Sequence, residues 1–278
     1  MLELCLCYNE MEWVRKWTDS FVDKKLYPVL FGDEAVRAAQ PLPTGHRVEY
    51  VGAQKVRCLA TVPRIKPPRK TAVYFHGNQV TLNDLACSGW LQALSDALEY
   101  RIVCPDYANA RSAHGRNLDT HQVLHAQDVL AATVRDSRHN PIAVIGRSLG
   151  CAIALRAVAE AQLDIANQID HVHLVSPFAS LDTLMPQWAL RYGFLTSGRF
   201  NSIDAVQKMS GKTHLSVYHG TDDKIITYEN AVALNQARAA EKWHSANNTL
   251  DSIVGMGHDP LPYVKDLVPL MQQRAASV

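Results

Sequence analysis

The chain has 278 residues, the size of one large α/β domain, and 47% of them are apolar, which is enough for a sizeable core. A formal net charge of +1 excludes nucleic-acid binding driven by bulk electrostatics. No apolar run is long enough to span a bilayer, and the start lacks the basic-then-apolar order of a secretory signal.

The six cysteines show no metal-ligand spacing; Cys5 and Cys7 stand too close for a C-x-x-C pair. Cys104 and Cys151 lie in apolar strand and helix contexts and read as buried thiols, so the expected compartment is reducing and cytoplasmic. Export without a cleaved signal stays open.

Residues 1–40 read as an amphipathic segment in front of the domain. Trp13, Val14, Trp17 and Phe21 fall at helical spacing, with Glu12, Arg15, Lys16, Asp19 and Asp23 on other faces. Such a stripe packs on the domain, lies on a membrane surface or reaches over a substrate mouth; acylation of Cys5 or Cys7 would suit the second. The domain proper is expected over 41–278. Pro41, Pro43 and Gly45 mark a loop, and strands at about 46–52 and 55–62 form a hairpin turning at Gly52. An exposed basic connector with Pro67 and Pro68 leads to a strand, Thr71–Phe75, ending in His76-Gly77-Asn78-Gln79. A helix over about 83–99 follows, capped by Asn83 or Thr81; then a strand from Arg101 to Cys104, closed by Pro105-Asp106-Tyr107, and a helix over about 119–136.

Pro141 to Gly150 reads as a buried strand, a sharp turn and a helix start. The turn is G-x-S-x-G: Gly146, Ser148 and Gly150. A serine there sits in a strained, left-handed backbone conformation so that its hydroxyl projects, and the flanking glycines let strand and helix approach closely. The helix that follows, from Cys151 to Ala159, is nearly all apolar, and its N-terminus aims N–H groups and a positive dipole end at the serine. Further strands run over 171–175, 213–218 and 249–254, with helices at about 228–240 and 263–274. The charged loop 241–248 reads as solvated. Strands alternating with helices predict an α/β fold: a mostly parallel sheet with helices on both faces. Residues 180–210 interrupt this rhythm and read as a short helical cap above Ser148. Its Trp188, Phe194 and Leu195 are candidates for an apolar substrate pocket, although the same residues would serve in ordinary helix packing.

A serine hydroxyl needs a base within hydrogen-bond reach, and the base needs an orienting partner. His258, in a glycine-rich loop after the last strand, is the best base. The loop after the preceding strand offers two acids, Asp222 and Asp223. An oxyanion would be held by the backbone N–H of Leu149 and by a second donor from Asn78 or Gln79. The other histidines fit structural roles: His76 and His219 brace loops, His171 and His173 share a strand face, and His121 and His125 lack a third ligand for a metal.

Phe75-His76-Gly77-Asn78, Pro105-Asp106-Tyr107, Gly146-Arg147-Ser148-Leu149-Gly150, Ser176-Pro177-Phe178, His219-Gly220-Thr221-Asp222-Asp223 and Gly257-His258 together resemble the α/β-hydrolase superfamily. His-Gly-Asn and Ser-Pro-Phe resemble the branch with lysophospholipid lipases and acyl-protein depalmitoylases. The resemblance implies Asp223 as the acid, since the acid is fifth in His-Gly-x-x-Asp, and the chain order Ser148, Asp223, His258. The chain departs from the family where Ala108, Asn109 and Ala110 replace glycines after Asp-Tyr. The expected activity is hydrolysis of carboxylic esters or thioesters through an acyl-enzyme, with no cofactor or metal. The substrate would carry an apolar acyl group, on a lipid or a lipidated protein. A peptidase or amidase on the same fold, a binding protein retaining the fold, and a secreted effector acting on host lipids are the rivals.

Overall fold

The computed structural model of the protein describes residues 42–78, 80–107, 118–138, 140–184, 199–240 and 247–277. Outside them lie the amphipathic segment 1–40, Gln79, the altered loop at Ala108–Ser112, the proposed pocket residues Trp188, Phe194 and Leu195, and most of the loop 241–248.

Eight strands form one sheet: β1 His46–Val51, β2 Val56–Thr61, β3 Lys70–Phe75, β4 Tyr100–Pro105, β5 Ile142–Arg147, β6 Ile169–Val175, β7 His214–Gly220 and β8 Asn248–Ile253. Their order is β1-β2-β4-β3-β5-β6-β7-β8. The first hairpin is antiparallel and β2 runs antiparallel to β4, whereas every pairing from β4 through β8 is parallel. Short β-branched runs such as Ile142-Ala143-Val144-Ile145 suit this arrangement because both faces of the parallel strands are covered. Val73, Phe75, Val144, Val172, Leu174, Leu215 and Val217 pack one face; Ala72, Tyr74, Ala143, Ile145, Val175 and Tyr218 pack the other. Alternation along each strand thus divides one apolar run between two cores.

The helices are α1 Leu82–Ser88, α2 Trp90–Leu98, α3 Leu118–Asp136, α4 Leu149–Ala159, α5 Leu163–Ala166, α6 Ser202–Lys208, α7 Tyr228–Ala239 and α8 Val264–Ala276. The helix expected over 83–99 is two helices. Gly89 takes φ 74°, a left-handed conformation that ends α1 and starts α2. Thr81, rather than Asn83, caps α1: its hydroxyl accepts from Asp84 N–H at 3.1 Å, and Asp84 accepts from Thr81 N–H at 2.9 Å.

The stretch expected as a 180–210 cap also differs where it is described. Leu181–Leu184 is a single 3-10 turn, and Ser202–Lys208 is the crossover helix between β6 and β7. Leu181, Phe200, Ala205 and Val206 are buried, the last three within the core that also contains α4. Their apolarity serves the core. Among the described residues no helix is long and apolar enough to cross a membrane.

Candidate active site

The parallel strands end in register, so the turns that follow them share one edge of the sheet, where open α/β sheets place ligands. Ser148 stands between β5 and α4 with φ 51° and ψ −120°. Its N–H donates to Val175 O at 2.9 Å, which ties the turn to β6. A Cβ at Gly150 would lie 2.1 Å from Phe75 O, and one at Gly146 would lie 2.7 Å from Cys151 Cα, so both positions require glycine. Ser148 is the N-cap residue of α4, yet its hydroxyl does not turn back to cap the helix. The usual N-cap hydrogen bond, about 1 kcal/mol, is forgone and the hydroxyl faces outward.

It meets His258. The Ser148 hydroxyl donates to His258 Nε2 at 3.1 Å, and His258 Nδ1 donates to Asp223 Oδ2 at 2.8 Å. Residues 110 apart in the chain are brought together here. Gly220 makes the second approach possible: a Cβ there would lie 2.0 Å from Met256 O, so the end of β7 packs directly on the loop that carries His258. Thr221 N–H to Ile253 O and Asp222 N–H to Met256 O, both 3.1 Å, and Gly255 N–H to Thr221 Oγ1 at 2.9 Å complete that contact.

The structure separates the two acids. Asp222 is exposed and accepts from the Thr221 hydroxyl, whereas the Asp223 side chain is fully buried against His258. Asp223 Oδ1 accepts from the N–H groups of Ile225 and Ile226, each at 2.9 Å. Burial pushes this carboxyl up, but donation from His219, His258 and Ile226 N–H outweighs it and holds Asp223 well below the usual carboxylate range. The proton between Asp223 and His258 therefore stays on Nδ1, leaving Nε2 to accept from Ser148.

Leu149 opens α4 directly beside Ser148. The turn after β3 runs against the serine as well, since a Cβ on Gly77 would lie 3.6 Å from Ser148 Cβ; half-buried Asn78 follows it. His76 braces this turn through Nδ1–H to Gly77 O at 2.9 Å and stacks on Tyr107, whose hydroxyl donates to His76 O. Burial lowers the pKa of the His76 imidazole.

Two contributions were missed in reading the sequence. Arg147, the variable position of the G-x-S-x-G turn, reaches the His258 carbonyl at 3.4 Å and Asp259 at 3.5 Å, holding the base's loop to the elbow. His219 faces Asp223 as well as its own loop; the four-residue spacing from Asp223 was the available signal. His121 and His125 sit with ring centroids 4.6 Å apart on α3. Among the described residues no three His, Cys, Asp or Glu side chains converge as a metal-binding group.

The family model described as the alpha/beta hydrolase fold matches residues 73–208. The chain has the α/β-hydrolase fold. Similar solved structures agree on the fold. The esterase domain of a Rhodothermus marinus protein is 17% identical, with 84% of this chain and 97% of that one covered, at a TM-score of 0.55. An esterase of Pyrococcus furiosus is 14% identical over 84% of this chain and 90% of its own, at 0.61. A thermophilic esterase of the planctomycete Thermogutta terrifontis is 16% identical over 87% and 95%, at 0.57. No curated protein sequence matches the chain. Identities this low carry the fold and not the substrate.

Proposed function

We propose that this α/β-hydrolase-fold protein is a serine esterase or thioesterase that works through an acyl-enzyme. The observation that supports it is the unbroken chain of hydrogen bonds Ser148–His258–Asp223, at 3.1 and 2.8 Å, with the acid buried and ionised. The Ser148 oxygen attacks the acyl carbon while His258 Nε2 takes its proton, and Asp223 stabilises the imidazolium. The N–H of Leu149 and a donor from Asn78 receive the negative oxygen, aided by the positive end of α4, an 11-residue helix. His258 then returns the proton to the departing alcohol or thiol. Water, deprotonated by the same imidazole, releases the acid from Ser148. Every proton in this scheme moves between Ser148, His258, the substrate and water.

The three similar solved structures described above are called esterases, which favours ester over amide bonds. An apolar acyl group is the substrate we propose, with Trp188, Phe194 and Leu195 as its pocket. Peripheral membrane contact through residues 1–40 fits that substrate. A p-nitrophenyl ester series from acetyl to palmitoyl, with Ser148→Ala in parallel, tests both levels. Turnover that rises with chain length and vanishes in the variant supports the full reading. Turnover confined to acetyl esters removes the apolar substrate, and cleavage of aminoacyl amides in preference to esters removes the esterase.

A further inference from the structure

His219 is the next-to-last residue of strand β7, its side chain fully buried, and the reaction scheme above makes no use of it. Its Nε2 stands 2.8 Å from Ile226 O and 3.5 Å from Asp223 Oδ2. A carbonyl at that distance requires a donor, so the proton sits on Nε2. Nδ1 is buried and has no partner among the described residues, which fits the same tautomer.

The contacts close a ring. Asp223 Oδ1 accepts from Ile226 N–H, Ile226 O accepts from His219, and the same His219 N–H leans on Asp223 Oδ2. The Ile226 peptide is therefore gripped at both ends, by the acid and by the histidine. Oδ2 is the oxygen that receives His258 Nδ1–H. It is shared between two imidazoles, one that faces Ser148 and one that never reaches the acyl group.

We infer that His219 is a positioning residue for the acid. It locks the Asp223 carboxylate through the Ile226 peptide, and by donating toward Oδ2 it limits how strongly Asp223 holds a proton on His258. This rests on the proposed roles of Ser148, Asp223 and His258. The titratable and charged groups around the pair are His258 and Asp259 from the loop after β8, Arg147 from β5, and Tyr228 and Glu229 from the first turn of α7. Asp222 and Lys224 on the same loop are exposed.

Replacing His219 by leucine removes the donor while keeping an apolar side chain of similar bulk. Oδ1 keeps both backbone donors, so the carboxylate stays near His258 and faces it with more of its charge. For His219→Leu, kcat on a p-nitrophenyl ester falls about tenfold or more, with KM within about twofold. The acid limb of kcat/KM moves to higher pH by about half a unit or more. His219→Gln, whose amide N–H reaches the same carbonyl, restores both. His219→Met carries the same test should leucine prevent folding.

Independently of turnover, NMR titration of isotope-labelled histidine follows the His258 ring, whose midpoint shifts upward with the acid limb in the leucine variant and returns in the glutamine variant. A limb and midpoint that stay put or move down, with activity lost only in proportion to folded protein, overturn the inference. Absence of Ser148-dependent turnover in the unaltered protein would instead overturn the proposed function, and the NMR titration would still decide the role of His219.

Discussion

Acid should destabilise this protein steeply, and the cause lies away from the active site. His171 and His173 alternate on β6 and stack with ring centroids 3.8 Å apart. They are 2% and 0% exposed. Ser216 Oγ lies 2.9 Å from His171 Nε2, and Tyr218 OH lies 3.1 Å from His173 Nδ1. Burial, followed by the like charge of Lys70, pushes His173 down to about 3; burial and then the neighbouring His173, His214, Lys70 and Arg274 hold His171 far below its ordinary value. Both rings are neutral in the folded state, whereas in the unfolded chain each takes a proton below about pH 6.5. The unfolded state therefore binds more protons, and stability is lost as pH falls from about 6.5 toward 3. Each ring contributes a slope of about 1.4 kcal/mol per pH unit. From pH 7 to 5 the pair costs about 4 kcal/mol, a large part of the 5–15 kcal/mol by which domains are ordinarily stable. Urea unfolding at pH 7, 6 and 5, followed by circular dichroism, reads this directly. The double variant His171→Leu/His173→Leu should lose most of the pH slope, whatever its stability at pH 7. Equal pH slopes in the variant and the unaltered protein would refute the reasoning.

Asp223→Asn should lower kcat about 10⁴-fold, because the amide no longer fixes the His258 tautomer, while Asp222→Asn stays within about twofold on the same ester. Gly150→Ala puts a methyl 2.1 Å from Phe75 O, so the elbow must open; the variant should lose ester turnover and melt at lower temperature. Arg238 is fully buried on α7 and donates to the carbonyls of Val206, Met209, Ser210 and Thr213, closing the C-terminal end of α6. Arg238→Met leaves these acceptors unpaired and should cost about 3 kcal/mol or more in urea unfolding.

The sheet was legible in the sequence because each buried strand is a short apolar run bounded by turn residues, and the elbow because only glycines allow its two close approaches. The choice of Asp223 over Asp222 rested on the His-Gly-x-x-Asp resemblance alone, since two adjacent carboxylates on one loop look alike until Gly220 seats that loop against Met256 and the second side chain is buried. The break between α1 and α2 escaped notice because Gly89 faces open space: nothing lies within 4 Å of where its Cβ would be, so the glycine answers to backbone conformation alone. Of the stretch 180–210 expected as a cap, the described residues after Phe200 include a helix whose Ala205 and Val206 pack into the core; apolar side chains read the same in a pocket and in a core helix. His219 was read as a brace for its own loop, which it is, but its second neighbour lies across a turn that spacing alone does not fold.

The central claim is that Ser148 becomes acylated. Mass spectrometry of the intact protein after rapid quenching with a p-nitrophenyl ester tests it most directly. The account predicts a mass increase of one acyl group on Ser148, absent in Ser148→Ala and long-lived in His258→Ala if any forms there. An adduct on another residue, or turnover that survives in Ser148→Ala, would contradict it.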